Sequence, residues 1–203
     1  MASPEIVVLI PESTRKRKGG TSMAEADAIA DALPDASHKR LEDLRSEIRA
    51  GSAASSVDAA RGLLAAYRRY DGNMYRSIPD DAWEKRAANV EVVIASGFRG
   101  VVASRDPIPA YVHSMAEPMP PFGKLNRWWH DRGLPDILAA YLRAVRPSTV
   151  VDLLSLEYRE SVLGYAADLG GIEVQMIDFP GMGRASQPLR GERIAAILKS
   201  GRP

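Results

Sequence analysis

The stretch covering residues 92–115, VVIASGFRGVVASRDPIPAYVHSM, restricts the fold more than any other part of the chain. The apolar run Val92–Ala95 is short and mostly β-branched, which predicts a buried strand. The run ends at Ser96-Gly97, where the backbone is free to turn and to approach another group closely. The stretch therefore predicts a strand whose polar end carries a binding site. The alternative is two strands joined by a glycine turn, with Arg105 and Asp106 as a solvent-exposed pair.

Strand and helix patterns alternate along the rest of the sequence. Apolar runs at Glu5–Ile10, Ser148–Leu154 and Ile172–Phe179 predict three further strands. The predicted helices cover Met23–Leu33, the segment around Leu41–Ile48, Val57–Tyr70, a short segment at Trp83, Lys124–Asp131, Leu134–Val145, Ser155–Leu169 and Arg190–Lys199. This alternation predicts an α/β fold, with a mixed β-sheet surrounded by helices. We expect one domain over residues 1–203, with a helical hairpin inserted at 23–70.

The composition limits the class of function. The 203 residues are 45% hydrophobic and 26% charged, as in ordinary globular proteins, and no cysteine is present to form a disulfide or a thiolate site. The net charge of +1 means that nucleic-acid binding would need a local basic patch. No apolar run approaches the roughly 20 residues that cross a bilayer, and no signal peptide is recognisable. We therefore predict a cytoplasmic protein without a membrane partner.

The first loop combines hydroxyl groups, cations and glycines directly after a strand. Ser13 and Thr14 are followed by the cationic run Arg15–Lys18, and either Thr21 or Ser22 is expected to cap the next helix. Such a loop predicts an anion cradle formed by backbone N–H groups, hydroxyls and a lysine. The spacing differs from that of a P-loop. The alternative is a mobile basic loop.

Seven short motifs occur in a fixed order along the chain. They are I-P-E-S-T at 10–14 with Lys16, Y-D-G-N-M-Y at 70–75, the S-G and G-V pairs within 93–102, Asp106 with Tyr111 and Met115, Trp128-Trp129, D-L-L-S-L-E-Y at 152–158, and Arg190-Gly191. In this order they resemble the motifs of the YaaA family of bacterial peroxide-stress proteins. The resemblance implies a YaaA-like fold, a role in peroxide stress, and binding of a nucleobase or of DNA. A weaker similarity to a domain of archaeosine synthase also indicates a nucleobase.

The chain departs from the family pattern at three positions. Asp71 stands where the family has lysine, Val112 where it has arginine, and His130 where it has glycine. Two cations are therefore absent from the pocket that the resemblance implies.

The candidate site combines residues that follow different strands, because the loops after strands of an α/β sheet meet at one edge. The candidate catalytic residues are Lys16, Tyr75, Asp106 and Glu157. The candidate substrate-binding residues are Ser13, Thr14, Gly72, Ser96, Gly97, Arg105, Tyr111, Trp129, Ser155, Tyr158 and Arg190. The three scattered histidines show no ligand spacing, so we predict neither a metal nor a cofactor.

Within this set, the carboxylates are expected to do proton-transfer work. Glu157 or Asp106 would act as the general base, or would bind an amine or the hydrogen-bonding edge of a nucleobase. Lys16 or Arg105 would hold an anionic group of the substrate. The alternative role for Glu157 is a favourable interaction with the dipole of its own helix. One of the two adjacent tryptophans is expected in the core, and the other as a stacking wall.

Three functional hypotheses follow. The first is a small enzyme that performs metal-independent transfer or hydrolysis on a nucleobase-, nucleotide- or amino-acid-like substrate. The second is a non-catalytic DNA-binding protein of the peroxide-stress response, using Arg15–Lys18 and the turn at Leu33. The third is a structural module. The oligomeric state is not predicted.

Overall fold

The computed structural model describes residues 3–21, 26–52, 57–58 and 62–203, with residues 57–58 described by their backbone alone. In chain order the strands are β1 (Ile6–Pro11), β2 (Val57–Asp58), β3 (Leu64–Ala65), β4 (Val90–Ser96), β5 (Gly100–Ala103), β6 (Pro107–Ile108), β7 (Ala110–Tyr111), β8 (Pro118–Met119), β9 (Gly123–Lys124), β10 (Thr149–Asp152) and β11 (Glu173–Met176). In chain order the helices are α1 (Ala28–Ala32), α2 (Asp35–Gly51), α3 (Ala66–Arg69), α4 (Asn73–Arg76), α5 (Asp80–Glu84), α6 (Leu125–Asp131), α7 (Leu134–Val145), α8 (Leu156–Glu160) and α9 (Ser186–Ser200).

A five-stranded mixed sheet with the order β11-β10-β1-β4-β5 forms the centre of the protein. The first four strands are parallel, and β5 returns antiparallel to β4. The central strand β1 is apolar along Ile6–Ile10 and buried throughout, as expected for a strand covered on both faces. The sheet and its surrounding helices confirm the predicted single-domain α/β fold.

The order of the strands reverses at β1. The chain runs from β1 to β4 on one side of it, and only later returns to pair β10 on the other side. In an open α/β sheet the loops that leave two such strands diverge, and this leaves a crevice beyond their carboxyl ends. The loops after β1 and β10 flank this crevice, which positions the candidate site.

Helix α7 confirms the prediction of an amphipathic helix over Leu134–Val145. Its apolar face, including Ile137, Leu138 and Tyr141, is buried in the core. The helix ends where Arg146 adopts a left-handed conformation with φ of 52°. The last helix, α9, begins at Ser186, four residues before the predicted start at Arg190.

The predicted helix over Val57–Tyr70 is wrong. Strands β2 and β3 occupy part of this segment and pair with β7 and β6, so that only Ala66–Arg69 is helical. At Gly62, with φ of +82°, the backbone lies against Gly20 so closely that a Cβ atom would come within 2.8 Å of its carbonyl carbon. Tertiary pairing with the first loop has overridden the local helical pattern.

Two further helix boundaries, the start of α1 and the end of α8, also differ from the prediction. Helix α1 begins at Ala28, and Asp27 caps it by accepting a hydrogen bond from the Ala30 N–H at 3.0 Å. Thr21 instead exchanges two backbone hydrogen bonds of 3.0 Å with Leu63, while Ser22 and Met23 lie outside the described residues. Helix α8 ends at Glu160, and turns replace the predicted helix up to Leu169.

None of the helices among the described residues combines the length and apolarity needed to cross a bilayer. Within the same residues, no group of three histidine, cysteine or acidic side chains is arranged to hold a metal ion.

Candidate functional site

A hollow of about 400 Å³ opens at the crevice beyond β1 and β10, and we call it the switch-point hollow. Segments from distant parts of the sequence line it. They are Pro11–Arg15 after β1, Gly72–Tyr75 at the start of α4, the residues Ser155, Glu157 and Tyr158 after β10, and Arg184 and Gln187 near α9. Seven predicted site residues therefore lie together: Ser13, Thr14, Gly72, Tyr75, Ser155, Glu157 and Tyr158.

The contact between Gly72 and Ser13 brings two of these segments together. A Cβ atom at residue 72 would lie 2.5 Å from the Ser13 Oγ. Glycine at this position therefore allows the start of α4 to approach the first loop and to form one wall of the hollow.

A buried ion pair lies beneath the hollow. The Glu12 carboxylate accepts hydrogen bonds of 2.7 Å from the N–H groups of Gly97 and Met115, and the Tyr111 hydroxyl also donates to it. The Lys16 Nζ lies 3.6 Å from the same carboxylate and donates to the His113 carbonyl at 3.2 Å. Burial raises the pKa of Glu12 and lowers the pKa of Lys16, while their mutual attraction opposes both shifts.

A chain of hydroxyl groups extends from this pair. The Tyr111 hydroxyl lies 2.9 Å from the Ser96 Oγ and 2.7 Å from the Tyr70 hydroxyl. The Lys16 Nζ also lies 4.1 Å from the centroid of the Tyr111 ring, a cation–π distance. The pair and its hydroxyl chain thus form a fully buried polar network that supports the first loop.

Several predicted binding residues belong to this supporting layer and do not line the hollow. Ser96, Gly97 and Tyr111 surround the Glu12 carboxylate, and Trp129 donates its indole N–H to the Gly97 carbonyl at 2.8 Å. Trp129 is fully buried, so its ring is a core element and not a stacking wall.

The Tyr75 and Tyr158 side chains form part of the lining but already have partners. The Tyr75 hydroxyl donates to the Pro11 carbonyl at 2.9 Å, and Tyr158 is hydrogen-bonded to the Ser114 side chain. Burial raises the pKa of both phenols well above their ordinary value, so both remain protonated donors.

Glu157 differs from the buried carboxylates. It lies in the first turn of α8, is exposed to the hollow, and its side chain makes no hydrogen bond or ion pair with any residue that the structure describes. Its carboxylate is therefore available to a ligand.

Asp106 and Arg105 lie at the opposite edge of the sheet, away from the hollow. The reason is the antiparallel direction of β5, which pairs Gly100 with Ser96 and then carries the chain back toward Val93. The Asp106 carboxylate accepts hydrogen bonds from the N–H groups of Ala28 at 3.0 Å and Ala103 at 2.8 Å. Burial raises its pKa to about 6. Arg105 donates to the Trp83 carbonyl at 3.4 Å and is likewise remote from the other candidates.

A second hollow, of about 440 Å³, adjoins the first, and we call it the Arg190 hollow. It shares Ser155, Glu157 and Gln187 with the switch-point hollow and extends toward Phe179 and Arg190. The predicted binding residue Arg190 is therefore connected to the remaining lining residues through this second space.

Sequence reasoning did not select Glu12, Arg184 or Gln187. Glu12 is part of the I-P-E-S-T motif, and its position directly after a buried strand was the available signal. Arg184 lies in a short 3-10 turn, Gly183–Ala185, and Gln187 in the first turn of α9. No local sequence pattern indicates that this segment turns toward the hollow.

Comparison with known proteins supports the resemblance to the YaaA family over residues 9–183, a span that contains six of the seven motifs and ends before Arg190-Gly191. A search of the curated proteins gave no match to this chain. The family model described as peroxide stress protein YaaA matches residues 9–183, a span that includes the end of β1, the first loop, α8 and β11. The chain therefore belongs to the YaaA family of peroxide-stress proteins.

Proposed function

We propose that the switch-point hollow binds a small polar molecule and that the protein is a metal-independent enzyme acting on it. The observation that carries this proposal is the unpaired Glu157 carboxylate, which faces a hollow lined by the Ser13 and Thr14 segment. A carboxylate kept free of protein partners at a sheet crevice is suited to accept a proton or an N–H group from a ligand.

The substrate class follows from the groups that line the hollow. Glu157 accepts from an amine or from the N–H edge of a nucleobase, and the hydroxyls of Ser13 and Thr14 complete the polar contacts. A nucleobase-, nucleotide- or amino-acid-like molecule carries groups of this kind.

The proposed chemistry is transfer or hydrolysis with Glu157 as general base and a phenol as donor. Tyr75 and Tyr158 line the same hollow as Glu157, and burial keeps both phenols protonated over the physiological pH range. A ligand would have to replace the Pro11 carbonyl as the acceptor of the Tyr75 hydroxyl. Lys16 lies outside the lining, and the Glu12 carboxylate is already engaged by the N–H groups of Gly97 and Met115. We therefore assign both residues the positioning of the first loop rather than direct contact with substrate.

The test is the identification of small molecules bound to the native protein by mass spectrometry. We expect the same molecule to accompany the wild type and the control Glu192→Gln, whose side chain is exposed on α9. The Glu157→Gln variant should lose it and should be inactive on it, while keeping its fold. Retention of the molecule by Glu157→Gln would remove this carboxylate from the site.

Binding of DNA is the alternative, and the exposed cations of the first loop are its main support. Lys16 is buried, however, and Asp71 forms ion pairs with Arg17 at 3.5 Å and Arg76 at 2.6 Å. The loop therefore offers few unengaged cations to phosphates. DNA binding predicts an affinity that falls steeply with salt, and a gel-shift series with flat affinity would exclude it.

A further inference from the structure

Arg190 is a buried cation without a counter-ion among the residues that the structure describes. Its residue is 4% exposed, its Nε has no hydrogen-bond partner, and its one hydrogen bond joins Nη1 to the Ser186 Oγ at 3.3 Å. Burying an unpaired charge is costly, and proteins normally satisfy such a group with an ion pair or a ligand.

The acidic side chains near Arg190 are already engaged by another arginine. Arg159 donates to the Asp178 carboxylate at 2.8 Å and to the Asp152 carboxylate at 3.3 Å. Burial lowers the pKa of Arg190, and repulsion from Arg159 acts in the same direction. Attraction from Asp178 and Asp152 opposes this shift in part, but neither forms an ion pair with Arg190. Among the described residues, no carboxylate, including that of Glu157 in the same lining, makes a hydrogen bond or ion pair with Arg190.

The Arg190 hollow has the form of an anion site. Arg190 lines it together with Ser155, Ser186 and Gln187, and the Phe179 ring lies at a cation–π distance of 5.1 Å from the guanidinium carbon. Two carboxylates also line the hollow, Asp178, which is paired with Arg159, and Glu157 at the side shared with the switch-point hollow. The hollow also adjoins the start of α9, a helix of 15 residues whose dipole favours negative charge at this end.

We propose that the Arg190 hollow binds an oxyanion, a phosphate or a carboxylate group, with Arg190 as its counter-ion. This inference rests on the proposed function, because the two hollows share Ser155, Glu157 and Gln187. One molecule spans both, with an N–H group at Glu157 and the oxyanion at Arg190. The substrate is thus an anionic molecule, either an amino-acid-like carboxylate or a phosphorylated nucleoside.

The experiment is a calorimetric titration of the full chain with inorganic phosphate and, separately, with acetate. Tighter binding of inorganic phosphate would identify the natural oxyanion as a phosphate group, and tighter binding of acetate would identify it as a carboxylate. Loss of one charge-assisted hydrogen bond corresponds to an affinity weakened by roughly tenfold to a hundredfold, and we expect this for Arg190→Gln. The matched control is Arg193→Gln, which removes an exposed arginine from the same helix and should bind as the wild type does.

A second variant keeps the test decisive if Arg190→Gln does not fold. Gln187→Glu places a negative charge in the lining of the hollow, at a helix start where a carboxylate stabilises the fold. It should weaken oxyanion binding by about tenfold or more. The proposal is overturned if the wild type binds neither anion, or if the folded lining variants bind them as tightly as the wild type.

The two proposals fail in different ways. If anion binding is independent of Arg190 while the native molecule still depends on Glu157, only the oxyanion assignment falls. If anion binding depends on Arg190 but Glu157→Gln retains the native molecule, the proposed role of Glu157 falls and the oxyanion site stands.

Discussion

Glu12 and Asp106 are two buried carboxylates that each follow a strand and each accept two backbone N–H groups. They lie at opposite edges of the same sheet. Glu12 follows a parallel strand and lies beneath the switch-point hollow, paired with Lys16 and Tyr111. Asp106 follows the antiparallel strand β5. Its carboxylate joins α1 to the sheet by accepting backbone N–H groups from both, and it forms no ion pair with a cation among the described residues. The direction of the preceding strand thus decides which carboxylate comes near the site.

The difference in partners also separates the two energetically. Burial raises the pKa of both groups. At Glu12 the positive charge of Lys16 opposes this rise. At Asp106 only the two backbone N–H groups oppose it, while the neighbouring acidic groups Asp27 and Glu91 add to it. Replacing Glu12 leaves a buried cation behind, whereas replacing Asp106 leaves only backbone donors without an acceptor.

The largest expected effect is therefore that of Glu12→Gln. Removing one member of a buried ion pair typically costs about 3–5 kcal/mol, because the remaining charge is uncompensated. We expect a loss of this size in the free energy of unfolding, measured by urea denaturation. The double variant Glu12→Gln with Lys16→Met should recover part of it, and additive losses would show that the two charges are not coupled.

Asp106→Asn should have a smaller effect. The amide keeps one acceptor but turns N–H groups toward a backbone donor, and one unsatisfied buried group costs about 1–3 kcal/mol. The same urea measurement applies, with the exposed Asp168→Asn as control, expected within about 0.5 kcal/mol of wild type. A loss of stability as large as that of Glu12→Gln would contradict the expectation that the carboxylate paired with a buried lysine is more costly to replace than the one held by backbone donors.

The pH dependence of this difference gives a third test. Because burial raises the pKa of Asp106 to about 6, the folded protein binds this proton more tightly than the unfolded chain does. The resulting stabilisation is fully present below a pH of about 4, declines as pH rises, and is lost above about 6. The stability difference between wild type and Asp106→Asn should therefore be larger at pH 4.5 than at pH 7.5, by about 2 kcal/mol. A difference that stays constant over this window would place the pKa of Asp106 at its ordinary value.

Glu157→Gln should change stability least. Its carboxylate is exposed and makes no bond with the described part of the protein, so we expect a change within about 0.5 kcal/mol in thermal or urea unfolding. A loss comparable to that of Asp106→Asn would show that Glu157 has a structural role and would weaken its assignment to the site.

The sequence was sufficient to predict the central sheet and the convergence of loops after its strands. Continuous apolar runs such as Ile6–Ile10 predict buried strands, and parallel strands bring Ser13 and Ser155 to one edge. Asp106 was assigned to the same edge because nothing in its local sequence shows that β5 runs antiparallel. Only the pairing of Gly100 with Ser96 reveals that reversal.

The segment up to Tyr70 shows why local patterns fail. Leu63, Leu64 and Tyr67 have helical spacing, yet Leu63 pairs with Thr21 and Leu64 with Ile108. Arg69 is fully buried and donates to the carbonyls of Arg17, Gly19, Gly62 and Ile108, contacts that span much of the chain. Such long-range hydrogen bonds have no signature in a sequence window, so this part of the fold was not predictable from it.

The central place of β1 has a consequence for biosynthesis. Strand β1 pairs with residues Val90–Ala95 on one side and with Thr149–Asp152 on the other, so both of its partners are synthesised long after it. A nascent chain therefore carries the apolar segment Ile6–Ile10 without a partner strand until residues 90–95 have been synthesised, and with one side unpaired until residues 149–152 have followed. Such a segment is a binding site for chaperones and a starting point for aggregation until β10 has emerged.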